Sequence, residues 1–205
     1  MSSSGIQVSG RPIIYDIAYT VHDALGSFTE VMRPGVVSQL IGNTDTRFLL
    51  NHSTELLPLA RTTSGTLVLR DGPDALRFTA TLDPRQSLAN DLAVAIERGD
   101  ISQMSVGFVV EADEWNDDYS KRTITKISDL LDVSAVSFPA SPTTSIGLTN
   151  GAGMATNSAG FPLNTAQARA KALRLQAHRP VSRMTMLRLL NEAGRMTPAK
   201  KGKGR

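Results

Sequence analysis

Gln103-Met-Ser-Val-Gly-Phe-Val-Val-Glu111 alternates with a period of two. Met104, Val106, Phe108 and Val110 fall on one face of an extended chain and Ser105, Gly107 and Val109 on the other. The stretch therefore reads as a strand with one apolar face and one face kept small around a serine. The residues just before it have a different period. Leu88, Leu92, Ala95 and Ile96 recur at helical spacing, Ser87 can cap their N-terminal end, and Gly99 supplies a stop after Arg98. One amphipathic helix thus feeds the strand.

Working outward, extended segments dominate. Residues 66–70 and 76–82 flank Asp71-Gly-Pro-Asp74, whose fixed and positive φ values predict a hairpin turn. Residues 13–20 and 46–51 are rich in apolar and β-branched side chains and predict two more strands, with Pro34-Gly35 between them and a short helix over 36–41. Residues 111–122 are polar and predict a loop or long turn. Strand character resumes over 123–127 and 130–138, until Pro139 and Pro142 end the pairing. Six or more strands with few helices predict a mainly β fold, an antiparallel barrel-like domain over residues 11–148.

The rest of the chain differs in composition. Residues 149–162 are dense in Gly, Ser, Asn and Ala and predict a flexible linker. Residues 163–205 predict a basic helical tail, with helices over 165–178 and 182–192 and a disordered end from Lys200. The net charge of +3 hides this division: residues 1–150 hold 11 Lys+Arg against 18 Asp+Glu, a net −7, whereas residues 151–205 hold 11 against 1, a net +10. An acidic body with a basic tail predicts two functional parts rather than a uniformly basic nucleic-acid binder. Phe161 is the only aromatic after residue 150, so nucleic acid is not the expected partner. Cysteine is absent, which excludes disulfides and thiolate metal sites. No apolar run is long enough for a membrane helix, and the polar start lacks the pattern of a secretory signal, so a soluble intracellular protein is expected.

Three residues stand out for chemistry. Ser105 sits on the small strand face, and a serine hydroxyl becomes a nucleophile only with a base in hydrogen-bond reach. Small residues in strands also simply make room for neighbours. Of the three histidines, His22 falls in a predicted loop and His178 in the tail. His52 ends a strand in Phe48-Leu-Leu-Asn-His52 and is the best placed base, although a strand-end histidine equally serves as a loop cap. Asp132 interrupts the apolar run Leu130-Leu-Asp-Val-Ser-Ala-Val136, on the same face as Ser134 and Val136. Buried, it requires a donor such as an imidazolium; on an edge strand it would face water.

Taken in order, Phe28-Thr-Glu-Val-Met-Arg-Pro-Gly35, Leu49-Leu-Asn-His52 with Leu57-Pro-Leu59, Gly99-Asp-Ile-Ser-Gln-Met-Ser-Val-Gly-Phe108 and Leu131-Asp-Val-Ser-Ala-Val-Ser-Phe-Pro-Ala140 give residues 13–148 a family resemblance. The chain resembles the prohead maturation serine proteases of tailed bacteriophages, which are related in fold to the herpesvirus assemblins. The resemblance implies His52 as general base, Ser105 as nucleophile and Asp132 as the acidic third residue, where the family pattern leads one to expect glutamate. Gly107 would keep space beside the nucleophile for substrate backbone. No cofactor or metal is implied. Implied partners are the major capsid protein precursor and scaffold segments, with self-cleavage and a homodimer as further expectations, and the implied place of action is the assembling procapsid in the host cytoplasm. The alternative function is a non-catalytic assembly factor that uses the basic tail for recruitment. The tail itself has three readings: a solvated appendage, a docking segment for scaffold or capsid protein, and a contact for nucleic acid.

Overall fold

The computed structural model describes residues 5–23 and 26–149. The predicted linker, apart from Thr149, and the predicted helical tail lie outside the described residues. Within them are ten strands and one helix, in the order β1 (Ile6–Ile14), β2 (Tyr19–Asp23), β3 (Gly26–Met32), β4 (Arg47–Leu50), β5 (Ala60–Arg61), β6 (Leu67–Asp71), β7 (Ala75–Leu82), α1 (Ser87–Arg98), β8 (Gln103–Trp115), β9 (Lys121–Val136) and β10 (Ser145–Leu148). No helix among them is long and apolar enough to cross a membrane.

The mainly β expectation holds, but the strands form two sheets and no closed barrel. One sheet is antiparallel, in the order β10-β1-β7-β6. The other runs β2-β3-β9-β4-β5, with β8 paired to β9 off that path. This second sheet is mixed, because β3 and β4 both run parallel to β9. The 16 residues of β9 make this possible: β3 pairs with its first four and β4 with Asp132–Ala135, while β8 runs antiparallel along nearly its whole length.

Several local expectations are met and others corrected. The hairpin around Asp71-Gly-Pro-Asp74 is β6 and β7, in register from Leu67↔Ala80 to Asp71↔Leu76. The helix is α1, which buries Ala89, Leu92 and Ile96 and ends where Gly99 takes φ 79° and gives its N–H to the Ile96 carbonyl. Its N-cap is Gln86, without a side-chain cap, rather than Ser87. The strand expected over 13–20 is broken, because Asp16 takes φ 55° and splits it into the end of β1 and the start of β2. Residues 36–41 form successive turns closed by bonds such as Leu40 N–H to Val37 O, three residues back, and not a helix. The polar stretch 111–122 is mostly strand, because its charges are matched across the ladder: Lys126 bonds Glu111 at 2.7 Å and Arg122 bonds Asp113 at 2.6 Å. Strand β10 comes after the prolines and pairs with β1.

The core lies between the two sheets. The Phe48 ring on β4 meets the Phe78 ring on β7 with centroids 5.2 Å apart, and Leu76, Leu82, Met104, Leu130 and Val133 are buried around them. Burying each such side chain contributes about 1.5–3 kcal/mol. The core therefore holds β8 and β9, the two strands with Ser105 and Asp132, against a rigid backing.

Candidate active site

The face of the β8–β9 ladder that points away from this core is small and polar. Ser105 pairs with Ser134 and Gly107 with Asp132, so the four residues form a two-by-two patch on one face. Asp132 is 8% exposed and Ser134 is fully buried, so the carboxylate is not the solvent-facing edge residue that one reading allowed.

The histidine arrives from β4. Phe48 anchors that strand in the core, and β4 runs alongside Asp132–Ala135 before the chain turns at Asn51 and His52. Both turn residues are left-handed, at φ 51° and 56°. Asparagine and histidine are both among the side chains found in this conformation, yet a non-glycine residue held there costs about 1–3 kcal/mol, which its surroundings must over-determine. The surroundings here do so. Asn51 N–H donates to Ala135 O at 2.8 Å, Ser137 N–H donates to Asn51 Oδ1 at 2.9 Å, and Ser53 N–H donates to Leu50 O at 3.0 Å. The turn is thereby fastened to the end of β9, and the imidazole is aimed back over the ladder.

His52 Nδ1 lies 2.8 Å from Asp132 Oδ1. Asp132 is an acceptor, so Nδ1 carries the proton and Nε2 is left with its lone pair, the tautomer a general base requires. Aspartate spans the gap even though glutamate is the family's expected residue. The same Oδ1 accepts the Ser134 hydroxyl at 2.5 Å. The other oxygen occupies the space over Gly107, where an added Cβ would overlap Oδ2. Gly107 thus makes room for the Asp132 carboxylate, a correction to the expectation that its space serves the substrate backbone. Ser105 sits diagonally across the patch from Asp132, at a spacing of about 7–8 Å between Cα atoms. It makes no hydrogen bond to His52 among the described residues, an arrangement common before substrate draws a catalytic pair together. His22 is elsewhere, on the outer strand β2 and bonded to Ser27 at 2.9 Å.

Beside Ser105 a cleft of about 330 Å³ opens between β8 and strands β1, β2 and β3. Its walls are largely apolar and include Ile14, Val21, Phe28, Val106 and Phe108. At one end stands Glu30, 4% exposed, which accepts from Tyr19 Oη at 2.6 Å and from Arg122 Nη1 at 3.2 Å. Burial and, next, the Glu30 charge hold the Tyr19 phenol far above its ordinary range, so it remains a donor. Arg122 also bonds Asp113 at 2.6 Å, so one guanidinium ties Glu30 of β3 to β8.

Sequence reasoning passed over Ser134, Asn51 and Thr144. The period-two pattern puts Ser134 on the Asp132 face, but nothing in it says that the hydroxyl turns toward the carboxylate. Asn51 had a readable signal, an asparagine where a strand must end. Thr144 is placed by a loop: its Oγ1 accepts from Met104 N–H at 3.0 Å and donates to Met104 O at 2.7 Å.

The family model of the caudovirus prohead serine protease matches residues 5–158. The prohead protease of Enterobacteria phage HK97 is 28% identical over 133 residues, covering 64% of this chain and 57% of that protein. The chain thus spans little more than half the length of that curated relative. No solved structure matches the chain. The family match runs through all ten strands, with both sides of the His52–Asp132 contact and the strand of Ser105 inside it, and on that extent the chain belongs to the caudovirus prohead serine protease family.

Proposed function

We propose that this protein is a serine endopeptidase that cleaves capsid and scaffold precursors, and itself, inside the assembling procapsid in the host cytoplasm. The observation that carries the proposal is the His52 Nδ1–Asp132 Oδ1 hydrogen bond on the same ladder face as Ser105. In the proposed reaction Ser105 Oγ bonds to the carbonyl carbon of the scissile peptide while its proton passes to His52 Nε2. Asp132 stabilises the imidazolium so formed. The tetrahedral adduct collapses as the C–N bond breaks and the leaving amine takes the proton from Nε2. Water, deprotonated by the same nitrogen, then attacks the acyl ester and frees Ser105.

The geometry of β8 supports a peptide as substrate. Among the described residues β8 pairs only with β9, so its other edge borders the cleft unpaired. Thr144 engages both peptide groups of Met104, which places them on that outer edge. By antiparallel alternation the N–H and C=O of Val106 point the same way, next to Ser105. An extended peptide added along this edge would bond Val106 and drop alternate side chains into the apolar cleft.

Co-expression with the cognate capsid precursor tests the reading. The wild-type chain is expected to convert the precursor to its cleaved form, and Ser105→Ala to leave it intact. Equal cleavage by the variant would remove Ser105 as nucleophile, and absence of cleavage by either would favour a non-catalytic assembly factor.

A further inference from the structure

We propose that Ser134 is a positioning residue of the catalytic apparatus, one that acts on His52 through Asp132. The inference rests on the serine peptidase reading and extends it by one residue. Ser134 is fully buried and stands across the ladder from Ser105, yet its hydroxyl turns along its own strand to donate to Asp132 Oδ1 at 2.5 Å. The acceptor is the very oxygen that holds His52 Nδ1 at 2.8 Å. Two donors therefore converge on one carboxylate oxygen, while the second oxygen lies in the space that Gly107 leaves open.

A carboxylate 8% exposed on the middle strand of a ladder needs such donors. His52 alone would have to serve both as the partner of the charge and as the moving base. With Ser134 donating as well, Asp132 is held in one rotamer throughout the cycle, whichever proton His52 carries. The serine donates a directional bond from the rigid strand itself, whereas His52 sits on a turn. Aspartate, one methylene shorter than the family's expected glutamate, reaches Ser134 because residues two apart on one strand share a face. Ser134 touches neither substrate nor the reacting atoms, and its effect passes through the orientation and charge of Asp132.

The test is a double-mutant cycle on peptide hydrolysis with the full chain. Ser134→Ala removes only the buried hydroxyl. It is expected to lower kcat about 10- to 100-fold, the equivalent of one hydrogen bond to a charged group, with KM within twofold of wild type. In an Asp132→Ala background the same Ser134→Ala change is expected to have no further effect, because its route to His52 is gone. A Ser134 that only supports the fold would depress activity equally in both backgrounds, and that result would overturn the inference. So would wild-type kcat in Ser134→Ala. Ser134→Cys, of nearly the same shape but a weak donor, covers the case in which the alanine variant does not fold, and is expected to lose kcat likewise. Failure of the underlying reading is separately visible: Ser105→Ala would then cleave as well as wild type, whatever Ser134 does.

Discussion

At the scale of single residues the site is a set of close fits around the Asp132 carboxylate. Gly107 is the one with the sharpest consequence. A methyl group there would overlap Asp132 Oδ2, and the group that must give way is a side-chain end rather than backbone. Gly107→Ala is therefore expected to fold, with a melting temperature near that of wild type, while the carboxylate is pushed off its bond to His52. A displacement of about 1 Å at a catalytic group costs on the order of 100-fold in rate. The expected result is a native melting curve with kcat reduced on that scale, read by thermal unfolding and peptide hydrolysis side by side; a variant with full kcat would show that the carboxylate position is not critical. His52, Ser105 and Asp132 stood out as candidates because each breaks a local pattern, a histidine at a strand end, a serine on a small face, a carboxylate in an apolar run, while the roles proposed for them came from the family resemblance. Gly107 was legible as a space and not as a space for Asp132, since that depends on which residue stands opposite, a matter of register. Ser134 was hidden for a related reason: its role is a rotamer, and strand periodicity gives a face, not the direction of a hydroxyl.

Elements were legible where their signals are local and misread where pairing decides. The β6–β7 turn and the end of α1 rest on glycine and proline positions, and they fall at those residues, although Gly72 does not take the positive φ expected of it. The extent of β8 and β9 rests on partners far along the chain: Glu111 and Asp113 look like loop residues until Lys126 and Arg122 stand opposite them. Parallel pairing of β3 and β4 with β9 leaves no local trace, which is why an antiparallel barrel was expected and two sheets with an open edge were found. The proposed peptide binding uses that open edge. A closed barrel has no free peptide groups to offer, whereas the side of β8 left unpaired among the described residues puts Val106 beside Ser105 and borders a cleft lined with Val21, Phe28 and Phe108. Val21 lies on β2 and is only half-buried, so a larger side chain there would narrow the cleft without disturbing the core. Val21→Trp is expected to raise KM about tenfold for peptides with a large apolar side chain near the scissile bond and to leave peptides with alanine there within twofold. Steady-state kinetics on such a pair of peptides checks this, and an equal change for both would place substrate side chains outside the cleft.

Across the whole molecule, the division of charge separates the β domain from the basic C-terminal segment. The chain carries a net −7 over residues 1–150 and a net +10 over 151–205. His52, Ser105 and Asp132, the residues proposed for catalysis, all come from the first part. Chemistry and recruitment can therefore be separated by cutting the chain. A chain lacking residues 151–205 keeps His52, Ser105, Asp132 and both sheets, so its kcat on a short peptide is expected to match the full chain. Attraction between the basic segment and an acidic partner is long-ranged and screened by salt, with a reach of about 8 Å at physiological ionic strength. If that segment docks the protease on scaffold or capsid protein, the shortened chain should be depleted from assembled procapsids, and binding of the full chain to the precursor should weaken as salt is raised. Quantifying the protease in purified procapsids from cells making either form decides the matter. Undiminished incorporation of the shortened, active chain would show that the domain itself carries the entry signal, and that the basic segment serves neither docking nor catalysis.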